Sequence, residues 1–182
     1  MVKLEKGNFL SESKKEDIFL LQSGFGKKTA QGVVLHPLEA AYIADMGIAK
    51  IKREKKSMDA KSILKIYKSK KNKSRPARPS AMPAVPEAEE QYILYKQIRS
   101  GGRIVRFFPN SPQYWRVHAR GVGREQERAQ TLVRLVNIKW KASLDGLERE
   151  LATARALRME FVLGYVEKGK ANWIKLGKYS LD

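Results

Sequence analysis

Hydrophobic and polar positions divide the C-terminal half of the chain into a helix, three strands, a second helix and two more strands. A helical stripe of Tyr92, Tyr95 and Ile98 follows a glutamate-rich segment that suits the positive end of a helix dipole, and a Gly-Gly pair ends it. Alternating and apolar runs predict strands over 103–108, 114–118 and 131–138, a helix capped by Ser143, and strands over 161–166 and 172–176. This order indicates a mixed α+β domain.

The sequence pattern of the N-terminal half predicts one strand and two helices. Residues 32–35 form a short apolar strand, and Pro37 then stands where the first turn of a helix tolerates proline. Apolar residues recur at helical spacing up to Gly47, which is a typical C-terminal stop. A second helix is predicted from Ser57 onward, and it runs into a lysine-rich stretch.

Two shifts in composition predict the domain boundaries. Residues 50–78 contain thirteen Lys or Arg against two acidic residues, and residues 76–86 contain four of the seven prolines. Because proline removes backbone donors and restricts the residue before it, we expect an extended linker there. The predicted organisation is an α+β protein with a small N-terminal α/β domain (1–73), a Pro-rich basic linker (74–86) and a C-terminal mixed-sheet domain (87–182).

The charge of the chain points to a polyanionic partner. Lys and Arg number 37 against 19 Asp and Glu, which gives a formal net charge of +18. Nucleic acid is the common partner of such a surface, although a charge run can also be a solvated face. Candidate RNA-binding residues are Lys68, Lys70, Lys71, Lys73, Arg75, Arg106 and Arg116.

Composition also limits the possible chemistry. The chain has no Cys and only two His, so we expect neither a metal site nor a cofactor. Its apolar runs are far shorter than the roughly 20 residues of a membrane span, and its first residues have no secretory pattern, so we expect a soluble cytoplasmic protein. The residues alone indicate no catalytic group, because a lone histidine such as His118 is more often structural.

Several motifs, taken in order, resemble a known family. The Gly24-Phe25-Gly26 turn, the apolar strand and the Leu-Glu-Ala-Ala-Tyr helix closing on Gly47 are similar to the N-terminal domain of archaeal tRNA-splicing endonucleases. Residues 92–106, then 115–118 and 155–166, resemble three blocks of the C-terminal nuclease domain of that family. The resemblance implies the tRNA-intron endonuclease fold and a precursor tRNA cut at bulge–helix–bulge motifs.

The family's catalytic residues are absent at the matching positions. The resemblance implies a Tyr general base, a His general acid and a charge-stabilising Lys, and these positions carry His118, Arg128 and Met159. Met159 holds no charge, and Arg128 gives up no proton near neutral pH. The matched sequence therefore predicts a degenerate pseudo-active site and a structural subunit with no catalytic residues of its own.

The family also implies how such a subunit acts. It would join a catalytic endonuclease subunit in a hetero-oligomer of two plus two chains and help position the precursor tRNA. Its predicted interface lies on the last two strands, at Phe161, Leu163, Tyr165, Trp173, Ile174 and Leu176. The family's acidic docking loop falls on either 123–127 or 145–148. Two alternatives stay open: a free-standing basic RNA-binding protein, and a nuclease with altered active-site residues.

Overall fold

The computed structural model describes residues 1–5, 8–54, 56–73, 85–108, 111–119 and 129–177, without the side chains of 70–73 and 129. The chain divides into two compact units between residues 79 and 80. Each unit contains a mixed sheet with packed helices, so the expected α+β class is confirmed. Among the described residues, no helix has the length and apolar character that crossing a membrane requires.

The N-terminal unit is built on a six-stranded sheet in the order β3-β4-β2-β1-β5-β6. Neighbouring strands are antiparallel except β1 and β5, which are parallel. Its elements, in chain order, are β1 (Val2–Glu5), β2 (Asn8–Ser11), α1 (Lys14–Gln22), β3 (Lys27–Thr29), β4 (Gly32–Leu35), α2 (Pro37–Asp45), β5 (Ile51–Arg53), β6 (Lys56–Ser57) and α3 (Ala60–Lys73).

Helix α2 forms the centre of this unit, since six of its nine residues are buried. Leu38, Ala41 and Ile43 are completely excluded from solvent. The helix begins at Pro37 and is followed by Gly47 at a φ of 65°, as the sequence predicts. It packs against α3 and β5, which brings the lysine-rich helix onto the core.

The C-terminal unit contains a five-stranded sheet in the order β11-β10-β9-β8-β7, in which only β9 and β10 are parallel. The parallel pair needs a crossover, which α5 supplies. The elements are α4 (Ala88–Ser100), β7 (Ile104–Phe107), β8 (Tyr114–His118), β9 (Ala129–Leu135), α5 (Leu144–Ala156), β10 (Glu160–Glu167) and β11 (Lys170–Leu176). The predicted order of helices and strands in this half is therefore confirmed.

The two helices of this unit cover opposite faces of the sheet. Phe161 and Leu163 pack with Ala154 of α5 in one apolar cluster. Gly164 is the next residue after Leu163 and faces the other way, where the Trp173 indole lies over it. The indole Nε1–H donates to Gln97 of α4 at 2.7 Å, so α4 lies on that second face.

Some predicted boundaries were wrong. Helix α3 begins at Ala60 rather than Ser57, because Ser57 pairs with Lys52 in a hairpin and the Asp59 carboxylate caps the helix through the Ser62 N–H. Strand β9 ends at Leu135 rather than Ile138, because the chain turns after Asn137, whose backbone carbonyl accepts the Trp140 N–H.

Short elements of the N-terminal unit were missed by the sequence pattern. Strands β1, β2, β3, β5 and β6 have two to four residues each, and α1 has nine. Runs this short show too little periodicity to separate a strand from a loop. Their pairing partners, distant in sequence, decide their conformation.

Candidate functional site

Three adjacent strands end together at the place where the sequence puts the pseudo-active site. His118 is the last residue of β8 and pairs with Ala129, the residue after Arg128. Thr131 of β9 pairs with both Val117 and Glu160, so the start of β10 lies at the same end of the sheet. The topology thus brings the positions of His118 and Met159 to one end of the sheet; Arg128 lies outside the described residues.

The His118 side chain is buried at this sheet end. Only 6% of the residue is exposed, and it lies opposite Ile104 of the neighbouring strand β7. A general base or acid must reach its substrate, and a buried imidazole is poorly placed for that. The geometry favours a structural role for this histidine.

Met159 is partly buried and packs at the edge of the apolar core. Its backbone N–H donates to the Ala154 carbonyl at the end of α5, which turns the chain directly into β10. Its side chain packs against the cluster that contains Leu132, Val136 and Phe161. A thioether fills irregular gaps of this kind but carries no charge for transition-state stabilisation.

Two arginines lie side by side on the strands that lead to this end of the sheet. Arg106 of β7 and Arg116 of β8 are direct cross-strand partners, and both are half-buried. The Arg116 guanidinium carbon lies 4.6 Å from the centre of the Phe108 ring. Like charges opposite each other cost free energy, which an anionic ligand would offset. Arg106 and Arg116 are therefore two candidate RNA-binding residues that the structure places next to each other.

The remaining candidate RNA-binding residues lie in or after α3. Lys68 is exposed on this helix, whose basic run extends to Lys73. Lys70, Lys71 and Lys73 belong to the helix, but their side chains and all of Arg75 lie outside the described residues. The predicted linker also lies outside the described residues from 74 to 84, as does one of the two candidate docking loops, 123–127.

The predicted interface residues divide between core and surface. Phe161 and Leu163 are 1% and 7% exposed and pack inside the chain's own core. Tyr165 and Leu176 pack against the same cluster from its edge. Trp173 is held over Gly164, whereas Ile174 remains 45% exposed on β11. Strand β11 ends the sheet, so a partner would meet Ile174 and the outer edge of that strand.

The N-terminal motif has a structural explanation in a single carboxylate. Glu39 is 3% exposed, and its Oε1 accepts the Gly26 N–H at 2.9 Å while its Oε2 accepts the His36 N–H at 2.8 Å. The His36 Nδ1 in turn accepts the Leu38 N–H, which completes a capping box. The glycine turn and the helix start are therefore joined through Glu39.

Two titratable rings meet between α2 and α3. The centres of the His36 and Tyr67 rings are 5.3 Å apart in an edge-to-face arrangement. Burial lowers the pKa of His36 to about 3 and raises the pKa of Tyr67 to about 12. Both rings are therefore neutral at physiological pH and act as packing groups.

Sequence reasoning missed a buried cation in the C-terminal unit. Arg134 is 6% exposed, pairs with Glu150 of α5, and lies 4.6 Å from the centre of the Trp140 ring. Burial lowers the pKa of Arg134 from its ordinary value, and the electrostatic interaction with Tyr114 opposes that effect. The signal in the sequence is one charge inside the apolar run 132–136. Among the described residues, no cluster of His, Asp and Glu is suited to hold a metal ion.

Comparison with known proteins gives two matches. Residues 2–64 match the tRNA intron endonuclease, N-terminal domain. The chain is also 23% identical over 157 residues to a protein described as tRNA-splicing endonuclease from Thermococcus kodakarensis (strain ATCC BAA-918 / JCM 12380 / KOD1), covering 83% of each chain. Because this alignment is longer than either compact unit, the similarity extends over both.

Proposed function

We propose, from the match of residues 2–64 to the tRNA intron endonuclease N-terminal domain, that the protein is a structural subunit of a tRNA-splicing endonuclease. It assembles with a catalytic subunit, two chains of each, and holds precursor tRNA for cleavage at bulge–helix–bulge motifs. It does not cut RNA alone.

The packing of Met159 is the main observation that supports this proposal. In the family resemblance this position belongs to a lysine that stabilises the charged transition state, and here a thioether packs against the apolar cluster beside α5. His118 is buried at the same end of the sheet. A site without an accessible base or a cation at this position lacks the groups for acid–base cleavage of RNA.

The role of the subunit is positional. Strand β11 lies at the end of the sheet and presents Ile174 and its outer edge to a partner strand. Pairing there would fix the separation of the catalytic chains. Arg106 and Arg116, adjacent on β7 and β8, supply cations for a phosphate of the bound RNA.

Cleavage of a bulge–helix–bulge precursor tRNA by this chain, by a catalytic partner, and by their mixture tests the proposal. We expect products from the mixture only. Products from this chain alone would overturn the proposal in favour of a nuclease with altered residues. A chain that stays monomeric beside the partner while binding RNA would favour the free-standing RNA-binding alternative.

A matched pair of variants tests the interface. Ile174→Asp places a charge on β11, whereas Ile138→Asp changes a similarly exposed isoleucine, 59% against 45%, outside the predicted interface. Only Ile174→Asp should prevent co-elution with the catalytic subunit and abolish cleavage by the mixture. Assembly that survives Ile174→Asp would contradict the assigned interface.

A further inference from the structure

We propose that helix α3 and the hairpin before it form a binding surface for the phosphate backbone of double-stranded RNA. The surface consists of the lysine stripe, defined as Lys61, Lys65 and Lys68, together with Arg53 and Lys56 of the β5–β6 hairpin. The choice of RNA rests on the proposed function; the cationic surface itself does not.

The three lysines of the stripe lie on one face of α3. They are spaced by four and three residues, which places them on neighbouring turns of the same side. All three are exposed. At 1.5 Å of rise per residue the stripe extends about 10 Å along the helix, enough to meet successive phosphates.

The opposite face of α3 holds the stripe in place. Ile63 is fully buried and Leu64 is 6% exposed, and the helix packs on α2. The Tyr67 ring contacts the His36 ring on that side. Because one face is fixed in the core, the lysines on the other face share a backbone that is already ordered before any ligand binds.

The hairpin leads directly into this helix and adds two cations. Arg53 and Lys56 are cross-strand partners at its tip, and both are exposed. The Met58 N–H donates to the Ile51 carbonyl at 2.8 Å, which closes the hairpin just before the Asp59 cap. The cations of the hairpin and the helix therefore follow each other closely along the chain.

The spacing of charges along α3 also favours a polyanionic ligand. The sequence of α3 contains no acidic residue, and the stripe places like charges at i, i+3 and i, i+4 spacings. Such pairs destabilise a helix. A polyanion would reverse this cost and release condensed counterions when the lysines neutralise its phosphates.

The chemistry of the stripe favours a duplex over a single strand. Proteins that bind single strands stack bases on exposed aromatic rings. The aromatic residue of α3, Tyr67, has its ring against His36 instead. A surface of lysines without an aromatic platform suits phosphates presented on a rigid helix, and A-form RNA places the phosphates of both strands across a narrow groove.

Binding of the full chain to a bulge-free 20-base-pair RNA duplex tests the surface, measured by fluorescence anisotropy from 50 to 300 mM salt. The test variant is K61Q/K65Q/K68Q. The matched control, K14Q/K15Q/K27Q, removes the same charge from exposed lysines elsewhere in the same unit. Circular dichroism establishes that both variants are folded.

We expect the stripe variant to raise Kd roughly tenfold or more at 100 mM salt and to reduce the slope of log K against log salt by about 2 to 3. The control should change Kd by less than about threefold. Equal losses in the two variants, or tighter binding of single-stranded RNA, would overturn the proposal. Equal affinity for duplex DNA would overturn RNA as the ligand.

This assay needs neither a catalytic partner nor a cleavage site. Failure to assemble or to support cleavage would therefore leave its result unchanged. Conversely, loss of duplex binding in the stripe variant is measured even if the proposed function is wrong.

Discussion

The neutral His36 ring should make the N-terminal unit sensitive to acid. The perturbation is a fall in pH from 7.5 to 5, across the ordinary titration range of histidine. In the folded chain the His36 Nδ1 accepts the Leu38 N–H and the ring contacts Tyr67, and burial lowers its pKa to about 3. In the unfolded chain the same ring has a pKa of about 6.5.

The sign and size of the effect follow from proton linkage. Below pH 6.5 the unfolded state binds a proton that the folded state excludes, so stability present above pH 6.5 is lost as the pH falls towards 3. Each pH unit below 6.5 in this window lowers the free energy of unfolding by about 1.4 kcal/mol, so the loss at pH 5 is about 2 kcal/mol.

The variant His36→Asn isolates this contribution. Asparagine caps a helix N-terminus but does not titrate, so its constant effects on packing cancel when two pH values are compared. Urea unfolding followed by circular dichroism at pH 7.5 and pH 5 gives the free energy of unfolding. All three tryptophans lie in the C-terminal unit, so their fluorescence provides an internal reference for the other half of the chain.

The native chain should lose about 2 kcal/mol more than His36→Asn between the two pH values, with no such difference in the tryptophan transition. The same pH dependence in both proteins would refute the reasoning. So would an NMR titration of the folded chain in which the His36 Cε1 proton changes with a midpoint near its ordinary pKa.

Three further sets of substitutions have defined outcomes; their effect on stability is measured by urea unfolding, and the last set also by a cleavage assay. Gly26→Ala should lower the free energy of unfolding by about 3 kcal/mol, because its Cβ would lie 2.5 Å from a Val33 methyl and its φ is +66°. Gly47→Ala should cost about 1 kcal/mol, because its φ is also positive but the space around it is open. Equal costs for the two variants would contradict this reasoning. Glu150→Leu should lower the free energy of unfolding by about 3 kcal/mol, because it leaves the buried Arg134 without its carboxylate partner. Adding Arg134→Met to this variant should recover part of the lost stability. Additive losses from the two substitutions would show that the two residues are not coupled. Met159→Lys should cost about 1 to 2 kcal/mol and restore no cleavage, because it places an ammonium group against an apolar cluster; cleavage would refute the assignment.

The sequence by itself determined the elements whose signals are local. Proline at the first turn and Gly47 after the last fix the bounds of α2, and Ser143 starts α5 through its hydroxyl, which accepts the Gly146 N–H. The alternating strands of the C-terminal half also follow from short-range periodicity. The identities at positions 118, 128 and 159, and hence the predicted loss of catalytic groups, were likewise readable from the sequence.

The tertiary structure decided what depends on partners distant in the chain. Ser57 belongs to a hairpin because Lys52 pairs with it, and Phe161 and Leu163 are core residues because α5 crosses over them. The burial of Arg134 depends on Glu150 of α5 and on Trp140 in the connection before that helix. Local propensity cannot anticipate these contacts, because the free energy of pairing and burial arises only when separate segments meet.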